Sequence, residues 1–447
     1  MKETGILKEH VDQDIREYYC FSENVERIDE KLHITFDSIS MIEFNKFRIE
    51  SYNDISSIIE LIDSIRSYQI SLTLNADSLH QISDRKKIEE GRWYKLTASL
   101  GEESTSLQAS LTEHSSENSE SNSISIRNIS FLNKNNSEAK KLSTVFSLSH
   151  FATPPREGFT IIEEITNHIV HLDDGELRFP RHFRPFRSFR SLVAHDVGQG
   201  SCNSLRDRNI TQVYFDVGGG AGRNTDTYPR GTEYIFDNHH EDAVVILSHW
   251  DKDHWVSAER HPHLCDLTWI VPDQALGVSH TRLARRIGLN GKLFVWTSHR
   301  QTQAIETQYL SLYKLPTHRN RNYSGIVAIY KPHGRRDNSV LIPGDSPYGK
   351  VDALANHEVI ATIVPHHGGT FYGDNPPNAP QSHKVVYSYG RANREGHPTF
   401  TTTDKHHRFG WLNRRDTIYG CVLVHPINLC RRNLLIYLLH YRHRIQI

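Results

Sequence analysis

The sequence predicts a sheet-based architecture for the C-terminal part of the chain, preceded by a mixed α+β N-terminal region. Two observations predict it. From residue 191 onward, short apolar runs (LVA, VYF, VVIL, VLI, ATIV, KVVY) each end in a loop rich in Gly, His and Asp, and strand followed by charged loop recurs about seven times. In the first 100 residues, strand-like and helix-like text alternate instead. A length of 447 residues suits two to four domains of roughly 100–200 residues each.

The elements follow in order. Leu32 to Phe36 and Tyr68 to Leu74 alternate apolar and polar residues, which predicts strands. Ile55 to Ile65 is apolar at helical spacing and predicts a short helix. Residues 101–150 hold 14 serines, and His114 to Ser125 is nearly all Ser, Asn and Glu. That run predicts a flexible loop, because it offers too little apolar surface to offset the entropy of ordering it. No catalytic constellation is visible in 1–177, which reads as an acidic accessory region, a place for a protein partner to dock. Residues 178–190 (RFPRHFRPFRSFR) repeat Arg every third position with Phe between. Pro180 and Pro185 forbid a regular helix, so an extended linker with one arginine edge is expected. Such a segment either tracks phosphates and stacks bases or straps the two parts together with its Phe side chains packed inward. Residues 191–447 form the third segment, the chemistry-bearing domain.

Charge divides along the same line. The net charge is −1, but residues 1–177 carry 18 Lys/Arg against 31 Asp/Glu, and residues 178–447 carry 34 against 22. The basic part suits a polyanion such as nucleic acid, or the acidic part of the same chain. No apolar run reaches the ~18–20 residues of a membrane-spanning helix, which excludes an integral helical membrane protein. Met1 to His10 lacks the apolar core of a secretory signal. The five cysteines (Cys20, Cys202, Cys265, Cys421, Cys430) are dispersed without a CxxC pair and read as reduced thiols of a cytoplasmic protein.

The chemistry concentrates at Val244 to His254. The run VVILS predicts a buried strand, and His249, Asp251, Asp253 and His254 follow it as H-x-D-x-D-H. Imidazole and carboxylate at this density are ligands for a divalent cation. Without one they would suffer desolvation and mutual repulsion. Further ligand-type residues recur at other strand ends: Asp216 after VYF, Asp345 after VLIPG, and His366 and His367 after ATIVP.

This ordered set resembles the metallo-β-lactamase superfamily. Within it, the H-x-D-x-D-H variant resembles the metallo-hydrolase domain of the DNA-uptake protein ComEC and its soluble relatives. DVGQG at 196–200, Asn338-Ser339, PHHGG at 365–369, SYGRANREGHP at 388–398 and the Thr417/Gly420 turn carry the narrower match, which covers about residues 191–425. Ser201 stands where the subgroup often has Asp, and no histidine between the second and fourth motifs has a recognisable context. The resemblance implies an α/β fold, an αββα sandwich, with two divalent metal ions at one edge of its sheets. One metal would take His249, Asp251 and a third ligand not identified. The other would take Asp253, His254 and His366 or His367, with Asp345 bridging. Asp196, Gly198, Gly200 and Asp216 would support the metal loop.

The implied activity is metal-dependent hydrolysis, a phosphodiesterase or nuclease acting on DNA through a metal-activated hydroxide. The oxygen-rich H-x-D site shifts preference from Zn²⁺ toward Mn²⁺. Asp253 would orient the nucleophile. His397 would donate a proton to the leaving group or contact a phosphate oxygen, or it fixes its loop. Ser388, Asn393, Arg391 and Arg394 would bind phosphate, or serve as loop and surface residues. Trp250 and Trp255 read as packing residues. Two other functions remain open: hydrolysis of a small ester, thioester or lactam, since fold does not fix substrate, and a non-catalytic binding subunit.

Overall fold

The computed structural model describes residues 15–146 and 189–446, apart from short stretches within them, chiefly 47–60, 101–106, 114–121, 297–301 and 426–444. The chain divides into two compact units, residues 1–142 and 143–447.

In the first unit, alternating apolar residues build β1 (Ile15–Ile28), β2 (Lys31–Ser40), β3 (Ser67–Asn75), β4 (Trp93–Leu100), β5 (Leu107–Glu113) and β6 (Asn122–Phe131). All pair antiparallel and close into a barrel in the order β1-β2-β3-β5-β6-β4. Closure leaves the barrel no open sheet edge. Ile34, Phe36, Ile70, Leu72, Leu96, Ile124 and Ile126 fill it. Helices α1 (Met41–Lys46) and α2 (Ser137–Val145) are short. The expected mixed α+β N-terminal region is therefore corrected to an antiparallel barrel. The predicted strands fall inside β2 and β3. The helix expected at Ile55 to Ile65 lies mostly outside the described residues. Of the run His114 to Ser125 expected as a loop, residues 114–121 lie outside the described residues and the rest begins β6; the wider serine-rich stretch contains β5, β6 and α2, because Ser and Ile alternate (SISI) and Ile124, Ile126 and Ile129 enter the barrel core.

The second unit contains β7 (Ser191–Ala194), β8 (Cys202–Asp207), β9 (Ile210–Val217), β10 (His239–Ile246), β11 (Thr268–Pro272), β12 (Leu293–Trp296), β13 (Gln303–Glu306), β14 (Leu310–Lys314), β15 (Ile326–Tyr330), β16 (Ser339–Ile342), β17 (Val359–Ile363), β18 (Lys384–Tyr387), β19 (Arg414–Asp416), β20 (Cys421–His425) and β21 (Ile445–Gln446). They form two sheets, ordered β12-β11-β10-β9-β8-β7-β20-β21 and β13-β14-β15-β16-β17-β18-β19. Leu192, Phe215, Val244, Ile246 and Ile270 of the first sheet share one core with Leu312, Ala328, Val340, Ile342 and Val386 of the second. Burying each large apolar side chain there contributes roughly 1.5–3 kcal/mol.

The expected αββα sandwich does not describe this molecule. The structure is mostly strand: a closed six-stranded barrel and two large sheets. In the second unit, only α3 (Val278–Leu289) and α4 (Phe400–Arg408) reach nine residues among the described residues. The connecting text is rich in Pro, Gly, His and Asp, and much of it forms single 3₁₀ turns such as Pro262–Asp266, Asp352–Asn356 and Pro365–Gly368. No described helix is long and apolar enough to cross a membrane. Cys20, Cys202, Cys265 and Cys421 are buried with no disulfide among them.

Of the Arg/Phe linker, only Phe189 and Arg190 are described. Phe189 is buried in the inter-sheet core, edge-on to Tyr330, whose hydroxyl donates to the Phe189 carbonyl at 2.8 Å. Arg190 pairs with Asp207 at 3.0 Å. At this end the segment packs on the second unit's own core, and the rest of it, residues 178–188, lies outside the described residues.

Ile246 lies at the centre of the inter-sheet core and is fully buried. Ile246→Ala is expected to lower unfolding free energy by about 2–5 kcal/mol, measured by denaturant unfolding of the full chain.

Candidate metal centre

The two sheets place their parallel strands so that one kind of strand end gathers the chemistry. β9 and β10 run parallel, as do β16, β17 and β18. Asp216 ends β9, His249 to His254 follow β10, Asp345 follows β16, His366 and His367 follow β17, and Ser388 follows β18. Carboxyl ends of parallel strands are where α/β and related sheets present ligand-binding loops.

Two overlapping groups of ligand atoms result: His249, His254 and Asp345, and Asp253, His254 and His367. His254 belongs to both. Its Nε2 lies 3.1 Å from Asp345 Oδ1, 3.2 Å from His367 Nε2 and 3.9 Å from Asp253 Oδ1. Asp345 spans the groups, with Oδ1 toward His254 and Oδ2 3.6 Å from His249 Nε2. Asp251 Oδ2 approaches His249 Nε2 at 3.1 Å, and Asp253 Oδ2 approaches His367 Nε2 at 3.0 Å. The choice between the two adjacent histidines is thus settled by place. His367 joins Asp253 and His254. His366 points to the other side, its Nε2 4.0 Å from Asp345 Oδ2. Left-handed backbone at both (φ 52° and 53°) turns consecutive side chains into one cluster.

The partners of the far ring nitrogens fix which nitrogen faces inward. His367 Nδ1 lies 2.8 Å from the Ser388 carbonyl, which can only accept, so Nδ1 carries the proton and Nε2 presents a lone pair. His254 Nδ1 lies 2.8 Å from Asp216 Oδ2 and is fixed in the same way. Ser248 Oγ donates to Asp216 Oδ2 at 2.9 Å, leaving it to accept from His249 Nδ1 at 3.0 Å. Three histidines therefore aim Nε2 at one small volume, each held from behind as metal-ligating imidazoles are. Within it, the buried His249 Nε2 and Asp345 Oδ1 are in no hydrogen bond. A buried polar atom left so is costly, and a divalent cation would satisfy both. The residues fit a metal.

Asp216 lies behind the ligands. Its Oδ1 accepts from the Ser248 N–H at 2.7 Å, and its Oδ2 takes Ser248 Oγ and His254. The metal loop is also held through its backbone. The Asp253 carbonyl accepts from the N–H groups of Ser201 and Gly219, both at 3.1 Å. A Cβ at Gly218 would overlap that carbonyl, and one at Gly200 would stand 2.5 Å from it. Only glycine admits the loop at these two points.

Electrostatics follow the crowding. Burial opposes charge on His254, but Asp345, Asp216 and Asp253 outweigh it and hold the imidazole well above its ordinary value. Burial likewise opposes charge on His367, and Asp345 and Asp253 raise it. Burial pushes the Asp251 carboxyl up, but His249 and the Arg321 guanidinium bring it down to about 2. Protons and a cation thus compete for the same Nε2 lone pairs.

The remaining expected residues divide. Gly200 meets the metal loop as expected, whereas Gly198 (φ 76°) packs against Thr227 and serves a turn. Asp196 Oδ1 accepts from the Gly198 N–H at 3.3 Å, and burial raises its carboxyl to about 6 despite that bond and Arg391. Ser388 Oγ donates to the Gly200 carbonyl at 2.8 Å. Asn393 Nδ2 donates to the carbonyls of Gly390 and His397, and its Oδ1 accepts from the His397 N–H. Both side chains are committed to their loops rather than to a phosphate. Arg394 pairs with exposed Asp226 at 3.0 Å, and Arg391 stacks 5.9 Å from the exposed Tyr419 ring. His397 is buried beside the metal loop, its ring 5.2 Å from that of His366. Gln199 Oε1 accepts from the Gly390 N–H, which turns its amide NH₂ to donate to His397 Nδ1 at 3.2 Å. The His397 proton therefore sits on Nε2. Trp250 and Trp255 are fully buried with both indole N–H groups bonded to carbonyls, so they pack and offer no face to a base.

Sequence reasoning did not single out Ser248, Gln199, Gly218 or Arg321. Ser248 and Gln199 lie inside quoted motifs, and position next to a ligand was the available signal. Arg321, in a polar RNRNY loop, carried none.

Metal affinity is expected to rise with pH. The folded, metal-free imidazoles of His254 and His367 are raised, so each must lose its proton to bind. From pH 8 to 6 the apparent affinity for Mn²⁺ or Zn²⁺ should fall, by up to ~10-fold per pH unit for each proton displaced. Calorimetric titration in buffers of different ionisation enthalpy reads both the affinity and the protons released. An affinity flat across this range would contradict the assignment. No known protein-family model matches the chain, and no curated protein sequence matches it.

Proposed function

We propose that the chain is a metal-dependent hydrolase of the metallo-β-lactamase superfamily type, holding two divalent cations, Mn²⁺ or Zn²⁺, and cutting phosphodiester bonds of nucleic acid, DNA first. The observation that carries the proposal is the pair of overlapping ligand groups joined through His254 and Asp345. His249, Asp251, Asp345 and His366 would hold one cation, and Asp253, His254, His367 and Asp345 the other. Bound there, two cations would supply an activated water and charge stabilisation for both oxygens of an in-line displacement.

The chain's own residues supply the rest. Asp253 is the most exposed carboxylate of the cluster, its side chain 26% accessible, so it stands where a water and a substrate arrive and can orient the attacking group. His397 carries its proton on Nε2, the nitrogen nearest Gly369 in the metal loop, and can hand it to the departing oxygen. Phe400, 83% exposed, follows Thr399, whose N–H donates to the Gly368 carbonyl at 2.9 Å. That places an exposed ring beside the histidine loop, where a base can stack. The excess of 34 Lys/Arg over 22 Asp/Glu in residues 178–447 favours a polyanion over a small neutral ester.

The test is cleavage of end-labelled single- and double-stranded DNA and RNA by the full chain with Mn²⁺, Mg²⁺ or Zn²⁺. Metal-dependent cutting is expected and should disappear in Asp253→Ala. His397→Ala should lower turnover about 10²-fold with metal content unchanged. Bound metal with turnover of thioesters or a chromogenic lactam, and intact nucleic acid, would overturn the substrate assignment.

A further inference from the structure

The middle position of the metal motif holds Asp251, a charged ligand, and the structure shows what stands behind it. Arg321 is 1% exposed. One of its terminal nitrogens donates to the Trp250 carbonyl at 2.9 Å, lies 3.2 Å from His280 Nε2, and pairs by charge at 3.2 Å with Asp251 Oδ1, an oxygen in no hydrogen bond. Asp251 is therefore divided: Oδ1 faces the guanidinium, and Oδ2 faces His249 Nε2 at 3.1 Å, into the cluster. The arginine is anchored from its own backbone. Gln274 Nε2 donates to the Arg321 carbonyl at 2.8 Å and to Ser324 Oγ at 2.9 Å, while Gln274 Oε1 accepts from the Trp250 N–H at 3.1 Å. One side chain thus ties the metal loop to the Arg321 turn. The Trp250 carbonyl also accepts from Trp255 Nε1 at 3.0 Å, so the backbone just before Asp251 is gripped from two sides.

We propose that Arg321 is a positioning residue for the metal site: its charge draws one oxygen of Asp251 outward, leaves the carboxylate a single inward oxygen, and cancels the carboxylate's charge. This rests on the metal-site assignment above. Together Asp251 and Arg321 present what a neutral imidazole would, one donor atom with no net charge. The physical reason is burial. A carboxylate ligand withdrawn from water needs a compensating cation on its outer side, and a buried guanidinium needs a carboxylate. Neither residue is replaceable alone, and the two are exchangeable together. Arg321→Met leaves Asp251 free to rotate both oxygens inward and adds a net negative charge. Asp251→His sets an imidazole against an uncompensated guanidinium. The double variant Asp251→His/Arg321→Met removes both faults.

The experiment compares the full-length protein with these three variants and Arg321→Lys. It reads Mn²⁺ stoichiometry and affinity by calorimetry, the Mn²⁺ electron paramagnetic resonance spectrum, and thermal melts. Each single variant is expected to weaken one of the two metal equivalents by about 10–100-fold and leave the other in place. The double variant is expected to recover most of that loss. Arg321→Lys, which keeps the charge but cannot hold it at the same place beside the Trp250 carbonyl, should bind at an intermediate strength. Should Asp251→His fail to fold, recovery of the fold in the double variant is the same coupling read as stability. Losses that add in the double variant, or Arg321→Met binding like the parent, would overturn the proposal while leaving the metal site intact. A parent protein that binds no Mn²⁺ or Zn²⁺ would overturn the metal-site assignment itself.

Discussion

The second unit's chemistry hangs on the Asp216 carboxylate. It is wholly buried, and a buried carboxylate is tolerated only when its lone pairs are taken. Here the Ser248 N–H, the Ser248 hydroxyl and His254 Nδ1 take them. These bonds join the end of β9 to the turn after β10 and orient two imidazoles, His254 directly and His249 through Ser248. Removing Asp216 would leave the strands but lose the direction in which the rings point.

The second determinant is steric. Gly200 and Gly218 clear a channel for the Asp253 carbonyl, which is held by two backbone N–H groups. The loop bearing four of the ligands is therefore fixed by main chain as well as by side chain. This leaves the side chains of Asp251 and Asp253 with orientation as their only freedom, and Arg321 and His367 restrict that in turn. Preorganisation of this kind keeps a charged cluster assembled before a ligand arrives.

Which side chains gather in the cluster was legible because the text that carries them is local. A strand's end followed by H-x-D-x-D-H needs no tertiary information to be noticed, and Asp216, Asp345 and His366-His367 share its context. What tertiary geometry decides was not legible. The separate directions of His366 and His367 depend on two left-handed residues in a row, and nothing in PHHGG specifies them. Sequence left Ser388 and Asn393 between phosphate binding and loop hydrogen bonding, because loop-holding and anion-binding use the same side chains. The architecture was harder still. The resemblance implied helices on the outer faces of the sheets, but connections rich in Pro, Gly and His mostly close as single turns. In the first unit, composition concealed period: the serines of β6 suggested a loop, while the isoleucines at 124, 126 and 129 form one wall of a barrel. Arg321 shows the limit most plainly, since an arginine in a polar loop looks like any surface arginine until its burial is known.

The clustered side chains come from both sheets. Asp216 and His249 to His254 belong to strand ends of one, Asp345, His366 and His367 to strand ends of the other. Between His254 and Asp345 lie 90 residues of chain. A cation seated among these side chains would be a clasp across the rim of the sandwiched layers. Prising the sheets apart would then require breaking coordination bonds at the same moment as apolar contacts. Ligand held only by the assembled state raises its stability in proportion to the logarithm of occupancy. The metal-loaded protein would thus open its core more slowly than the empty one, and cellular metal supply would set its lifetime as well as its chemistry.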